Sequence, residues 1–170
     1  MRFKVDNPIH LPRGEVEAAF LDPAFYETLG QMPNIKAPEL LEMDDAGDQV
    51  HLRFRYAFSG DLPSAARRVL DPARMTWVHQ ETIYRGEHRS EFTMIPDHYR
   101  DRMSCSGGYR LLEQGEDTNQ RLEGDLIIHY PLVGRLVEKA ILSGLRQHLV
   151  EEARILERTR GAQGRLVDPS

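Results

Sequence analysis

Cysteine is all but absent: Cys105 is the only one in 170 residues. An internal disulfide is therefore impossible, and multi-cysteine zinc sites and CxxC redox chemistry are excluded. A lone thiol fits a reducing cytoplasm, which is the expected location. Positive charge is also in short supply. Lys plus Arg is 22 against 27 for Asp plus Glu, a net charge of −5, and the isoelectric point is about 5.8. That balance lacks the basic stripe of a nucleic-acid binder or of a polybasic membrane-surface protein, so neither partner is expected. Long hydrophobic runs are missing too. The most apolar stretch, Leu126-Ile127-Ile128-His129-Tyr130-Pro131-Leu132-Val133-Gly134, is far shorter than the roughly 20 residues a bilayer-spanning helix needs, and no membrane insertion is expected. The start, Met1-Arg2-Phe3-Lys4-Val5-Asp6, has no apolar core of a signal peptide. No Walker loop, GxGxxG, GxSxG or HExxH occurs, and no cofactor is expected.

What is present suits a soluble globular chain. Hydrophobic residues make up 40% and charged residues 29%, too apolar for disorder and ordinary for a packed domain. The length predicts one domain over 1–160 with a flexible tail over 161–170, where Gly161-Ala162-Gln163-Gly164 opens a stretch without periodicity.

Alternation in 2–9 predicts a first strand. Residues 15–21 read as a short amphipathic helix. Asp22-Pro23 supplies an N-cap and a first-turn proline for a second helix over 24–29, and Gly30 is placed to end it. Strands are predicted over 39–43 and 50–58. The second is the cleanest: Val50, Leu52, Phe54, Tyr56 and Phe58 alternate with His51, Arg53 and Arg55, which means a sheet with one wet face. A short helix over 65–70 ends at Asp71-Pro72. Strands follow over 75–84, 87–95 and 102–113, with Gly107-Gly108 marking a bulge or bend. Residues 114–119 read as a polar turn and 121–130 as the last strand. Residues 132–159 then switch to helical period. The 100° step puts Val133, Val137, Ile141, Gly144, Leu145, His148, Glu152 and Ile155 on one face.

Helices segregated from an antiparallel sheet make an α+β fold. A curved sheet closes over an interior when the long helix lies across its concave face. That is a helix-grip arrangement with a cavity between sheet and helix.

This order, together with two segments, resembles the START-like superfamily, also called birch-pollen-allergen-like or polyketide cyclase/dehydrase-like. Leu21-Asp22-Pro23-Ala24-Phe25-Tyr26 is similar to that superfamily's corner between its two short helices. Tyr130-Pro131-Leu132-Val133-Gly134 followed by Glu138 looks like the start of the final helix in an uncharacterised bacterial branch. Both are joints, so they bear on fold more than on function. The resemblance implies an apolar ligand such as a lipid, sterol or polyketide, bound or turned over.

His148 and Glu152 lie one helical turn apart, so they are neighbours. Facing a cavity, the carboxylate would hold one imidazole nitrogen and leave the other for a ligand. Beyond the sheet edge, they would be a half-buried histidine and a solvated acid. Gly144 either leaves ligand space or lets the helix pack against a bulky side chain such as Trp77. Trp77, His79 and Glu81 share one face of their strand, inward or outward. With both His–Glu pairs inward, a metal could in principle be held, although no spacing demands it. His51, Arg53 and Arg55 read as a solvated face, or an anion site. Cys105 alternates with Met103 and reads as inert packing; reactivity would need a base or a positive neighbour. Tyr56 and Tyr130 on apolar faces are core residues, or cavity donors.

The expected function is therefore binding of a small hydrophobic molecule in the cavity, with Ile141, Gly144, His148, Glu152, Tyr56, Trp77 and Tyr130 lining it. A cyclase- or dehydratase-type enzyme using a cavity His/Glu pair is the alternative, and a protein-interaction module is the third. Binding is favoured over catalysis because no catalytic signature is present. Free sheet edges leave room for a homodimer.

Overall fold

The computed structural model describes residues 1–29 and 37–166, with side chains as far as Gly161. In chain order the elements are β1 (Arg2–Ile9), α1 (Arg13–Phe20), α2 (Pro23–Thr28), β2 (Glu39–Asp45), β3 (Gln49–Ala57), α3 (Ser64–Arg67), β4 (Thr76–Tyr84), β5 (Arg89–Pro96), β6 (Met103–Gln114), β7 (Asp117–Ile128) and α4 (Gly134–Leu166). The strands form one seven-stranded sheet in the order β1-β7-β6-β5-β4-β3-β2. Every neighbouring pair is antiparallel. This is the α+β helix-grip architecture that the strand and helix order predicts.

The two joints work as their residue types require. Asp22 accepts a hydrogen bond from the Ala24 amide at 3.0 Å, and Pro23 opens α2, so one free amide of the helix start is satisfied and the first-turn φ is preset. Tyr26 donates its hydroxyl to the Phe20 carbonyl at 2.6 Å, locking α2 against α1. At the other joint Glu138 is buried and accepts from the Ile128 amide at 3.0 Å. Leu132 turns the chain there with φ +67°. Gly134 sits so close to β7 that a Cβ would lie 2.3 Å from the Ile128 carbonyl oxygen.

Several boundaries differ from the sequence reading. Strand β7 begins at Asp117, inside the stretch read as a polar turn, and ends at Ile128 rather than Tyr130. Its buried polar residues mislead because each has a partner. Thr118 donates to the Leu11 carbonyl at 2.7 Å, Asn119 to Asp6 at 2.8 Å, and Gln120 accepts from Asn7 at 3.1 Å. Helix α4 starts at Gly134, and it continues to Leu166, through much of the segment read as a tail. Gly30 lies outside the described residues.

Helix α4 packs on β1 and β7. Its buried residues Val137, Leu142, Leu149, Ala153 and Leu156 form that seam. The half-buried Ile141, Gly144, Leu145, His148 and Glu152 lie beside it. The single apolar face read from the 100° step is thus two adjacent stripes, one for the core and one for the cavity.

Candidate functional site

Strand pairing decides what faces inward. The apolar face of β3 is buried through Val50, Leu52 and Phe54. In the β3–β4 register Phe54 stands opposite His79, Tyr56 opposite Trp77 and Leu52 opposite Glu81. Side chains on directly paired residues share a sheet face, so Trp77, His79 and Glu81 point inward with Tyr56. The next pairing places Met94 opposite His79 and Phe92 opposite Glu81.

These side chains and the second stripe of α4 enclose a cavity of about 950 Å³. That is at the upper end of the roughly 300–1,000 Å³ of small-molecule sites. Its mouth is marked by the exposed lining residues: Ser59, Gly60 and Asp61 on the loop after β3, and Arg146, Gln147, Val150 and Arg154 on α4. The walls are largely aromatic. Tyr56 stacks on Trp77 at 5.7 Å between ring centroids and 7° between planes. His79 stacks on Phe92 at 4.8 Å, and both His79 and His148 meet the Tyr56 ring edge-on, at 5.7 and 6.2 Å. Such contacts are worth roughly 0.5–1.5 kcal/mol each beyond burial, so this wall is stiff.

Two His–Glu pairs line the same cavity, one on the helix and one on the sheet. His148 Nε2 lies 3.2 Å from Glu152 Oε2 on the helix. His79 Nε2 lies 3.4 Å from Glu81 Oε2 on the sheet. The carboxylates are only 13–14% exposed. Burial, and then the charges of Glu152 and Glu81, push the Tyr56 phenol far above its ordinary range. Tyr26 and Tyr109 are raised by burial and by the same two carboxylates. All three phenols are therefore neutral O–H groups. Burial also raises the Cys105 thiol to about 11, so this cavity-lining thiol is almost wholly protonated near neutrality, as inert packing requires.

Of the seven candidate residues, the structure brings six together at the cavity: Ile141, Gly144, His148, Glu152, Tyr56 and Trp77. Tyr130 is the exception. Since β7 stops at Ile128, its alternation does not reach Tyr130, which lines a separate hollow of about 510 Å³ beside Leu132 and Glu138. The Arg102 guanidinium covers its ring at 5.1 Å. Gly144 does not pack against Trp77: a Cβ built on it would meet nothing within 4 Å. His51, Arg53 and Arg55 lie on the exposed face, with Arg53 on Glu42 at 3.2 Å and Arg55 on Asp97 at 2.5 Å. Sequence reasoning missed Tyr26, Phe92, Met94 and Tyr109, which line the cavity from α2, β5 and β6. Among the described residues no group of three or more His, Cys, Asp and Glu side chains is gathered as a metal site. Nor is any helix there long and apolar enough to cross a membrane.

A family profile described as "Protein of unknown function (DUF2505)" matches residues 4–159. No curated protein sequence matches the chain. Solved structures share its fold. The protein TTHA0849 from Thermus thermophilus superposes with a TM-score of 0.63 at 16% identity, covering 93% of this chain and 95% of that one. A point mutant of Thalictrum norcoclaurine synthase, solved with a transition-state analogue, gives 0.61 at 14% identity, over 94% and 96%. A START superfamily protein from Mycobacterium smegmatis gives 0.57 at 15%, over 93% and 98%. The fold is therefore START-like, as the two joints and the element order suggest.

Proposed function

This chain belongs to the DUF2505 family, and we propose that it binds a small, largely apolar organic molecule in the cavity between α4 and the sheet. The observation that carries this reading is the cavity itself: about 950 Å³ of space with an aromatic wall, a glycine that leaves room rather than packing, and polar groups gathered in two His–Glu pairs. Burying about 300 Å² of apolar ligand surface contributes roughly 7 kcal/mol at about 25 cal/mol per Å². The loss of ligand freedom offsets part of that. His148, Glu152, His79, Glu81 and the Tyr56 hydroxyl are the groups placed to orient the ligand. The protein-interaction reading asks for a filled interior, and the open cavity weighs against it.

One observation supports chemistry as a second reading. Two imidazole–carboxylate pairs and the neutral Tyr56 phenol line one cavity, which suits proton transfer in a cyclase- or dehydratase-type step. Binding is the common requirement of both readings, so it is tested first. Native mass spectrometry of freshly purified protein, with organic extraction, should show a discrete bound mass that survives gel filtration. The neutral probe N-phenyl-1-naphthylamine should bind with one-to-one stoichiometry and gain fluorescence. A bare chain that also leaves the probe dark would sink the proposal.

A further inference from the structure

The cavity's polar groups are unequal in kind, and this deepens the binding reading above, on which it rests. Glu81 and Glu152 bring two carboxylates into the interior from opposite walls, each largely buried. The arginines that line the cavity, Arg146 and Arg154, are exposed at its mouth, and the lining contains no lysine. Each carboxylate has its own imidazole at ion-pair distance. The imidazoles cancel the carboxylates only when protonated. One imidazole nitrogen occupies a single one of the roughly four acceptor sites of a carboxylate, so each of these cavity-lining carboxylates keeps acceptor capacity. The same lining carries the rings of Tyr56, Trp77 and Phe92, and an aromatic face turned to a ligand favours a cation and disfavours an anion.

We infer that the cavity selects amphipathic molecules whose polar end is a positively charged amine or quaternary ammonium, seated between Glu81 and Glu152 against the Tyr56–Trp77 stack, and that it excludes carboxylates of the same size. The apolar remainder of the ligand lies along the Ile141–Leu145 stripe. An anionic head group could be held only at the arginine-lined mouth, which would leave its tail poorly buried.

The chain carries its own reporter, since Trp77 is its only tryptophan and lies in the cavity wall. Titrating the full-length protein at pH 8 and low salt with decyltrimethylammonium, 1-decanol and decanoate compares three head groups on one tail. We expect decyltrimethylammonium to change Trp77 emission with an affinity at least about tenfold above that of decanoate, with decanol between them. The Glu81→Gln/Glu152→Gln double variant should shrink the decyltrimethylammonium-over-decanoate preference to within about twofold. Decanoate binding as tightly as the ammonium overturns the inference. If decanol still binds, the cavity-binding reading survives that result. If none of the three binds, both fall. The wild-type ranking decides the matter even if the double variant does not fold.

Discussion

A glycine inside a helix costs about 1 kcal/mol relative to alanine, unless the absent side chain is needed elsewhere. At Gly144 nothing lies within 4 Å of where a Cβ would stand, so no packing partner explains the residue. Gly144→Ala should therefore raise stability by roughly 0.5–1 kcal/mol. Gly144→Phe should fill the space and abolish N-phenyl-1-naphthylamine binding while the fold persists. Urea unfolding and probe titration of both variants check this, and a destabilised Gly144→Ala would show that the helix does pack tightly there. At this scale the sequence was informative on the helix and ambiguous on the sheet. Ile141, Gly144, His148 and Glu152 follow from helical geometry alone. Trp77, His79 and Glu81 do not, because the opposite face of β4 is no more apolar. Their direction is set by the β3–β4 register, and a connection of many residues between those strands leaves that register unwritten in local sequence. Tyr130 was misplaced because one apolar run continues past the end of β7 into the joint.

Elements bend where side chains are missing. Gly107 of β6 stands directly opposite Gly124 of β7, and a Cβ on Gly107 would lie 2.2 Å from the Glu123 carbonyl oxygen. One on Gly108 would lie 2.1 Å from the Ser90 carbonyl oxygen of β5. Backbones of three neighbouring strands thus approach at one level, which permits the tight curvature that wraps the sheet around the cavity. Backbone cannot step aside as a flexible side chain can. Gly107→Ala should cost roughly 2–4 kcal/mol, whereas Gly86→Ala, which meets nothing within 4 Å, should stay within about 0.5 kcal/mol of the parent. Chemical denaturation of the two variants makes the comparison, and equal stability would remove the steric account of the bend. The bend was legible as a pair of glycines, and both joints as Asp-Pro and as Gly134 with Glu138. The start of β7 was not, since Thr118, Asn119 and Gln120 look like a turn until their partners on β1 and the following loop are in place.

Across the whole molecule, charge ties down the two edges of the sheet. At the β1 edge Asp6 accepts from Arg121 and Asn119, both at 2.8 Å. These bonds hold its carboxyl below the ordinary 3.8. At the β2 end Asp45 accepts from the Gly47 amide at 3.0 Å and from Arg85 at 2.8 Å, and it is lowered likewise. A group whose folded value is depressed stabilises the fold above its unfolded value and loses that contribution as pH falls through the folded one. Both edges should therefore be held at neutral pH and weaken below about pH 4. His10 acts in the opposite sense. Its bond to Asp117, at 3.1 Å, and then the charge of Glu157 raise it above 6.5. Its contribution is complete below that pH and fades as pH rises through the raised value. The three groups together place the stability maximum between about pH 4 and 6.5. All three are solvent-exposed, so salt should flatten the profile. Thermal melts from pH 3 to 9 trace the curve, and Asp6→Asn with Asp45→Asn should lower stability at neutral pH and shrink the acid limb. Hydrogen exchange then locates the loss: amides of β1 and β2 should gain exchange first on acidification, ahead of β5 and β6 at the centre. Uniform exchange across the sheet would show instead that acid unfolds the molecule as one unit and that these edge carboxylates do not control it.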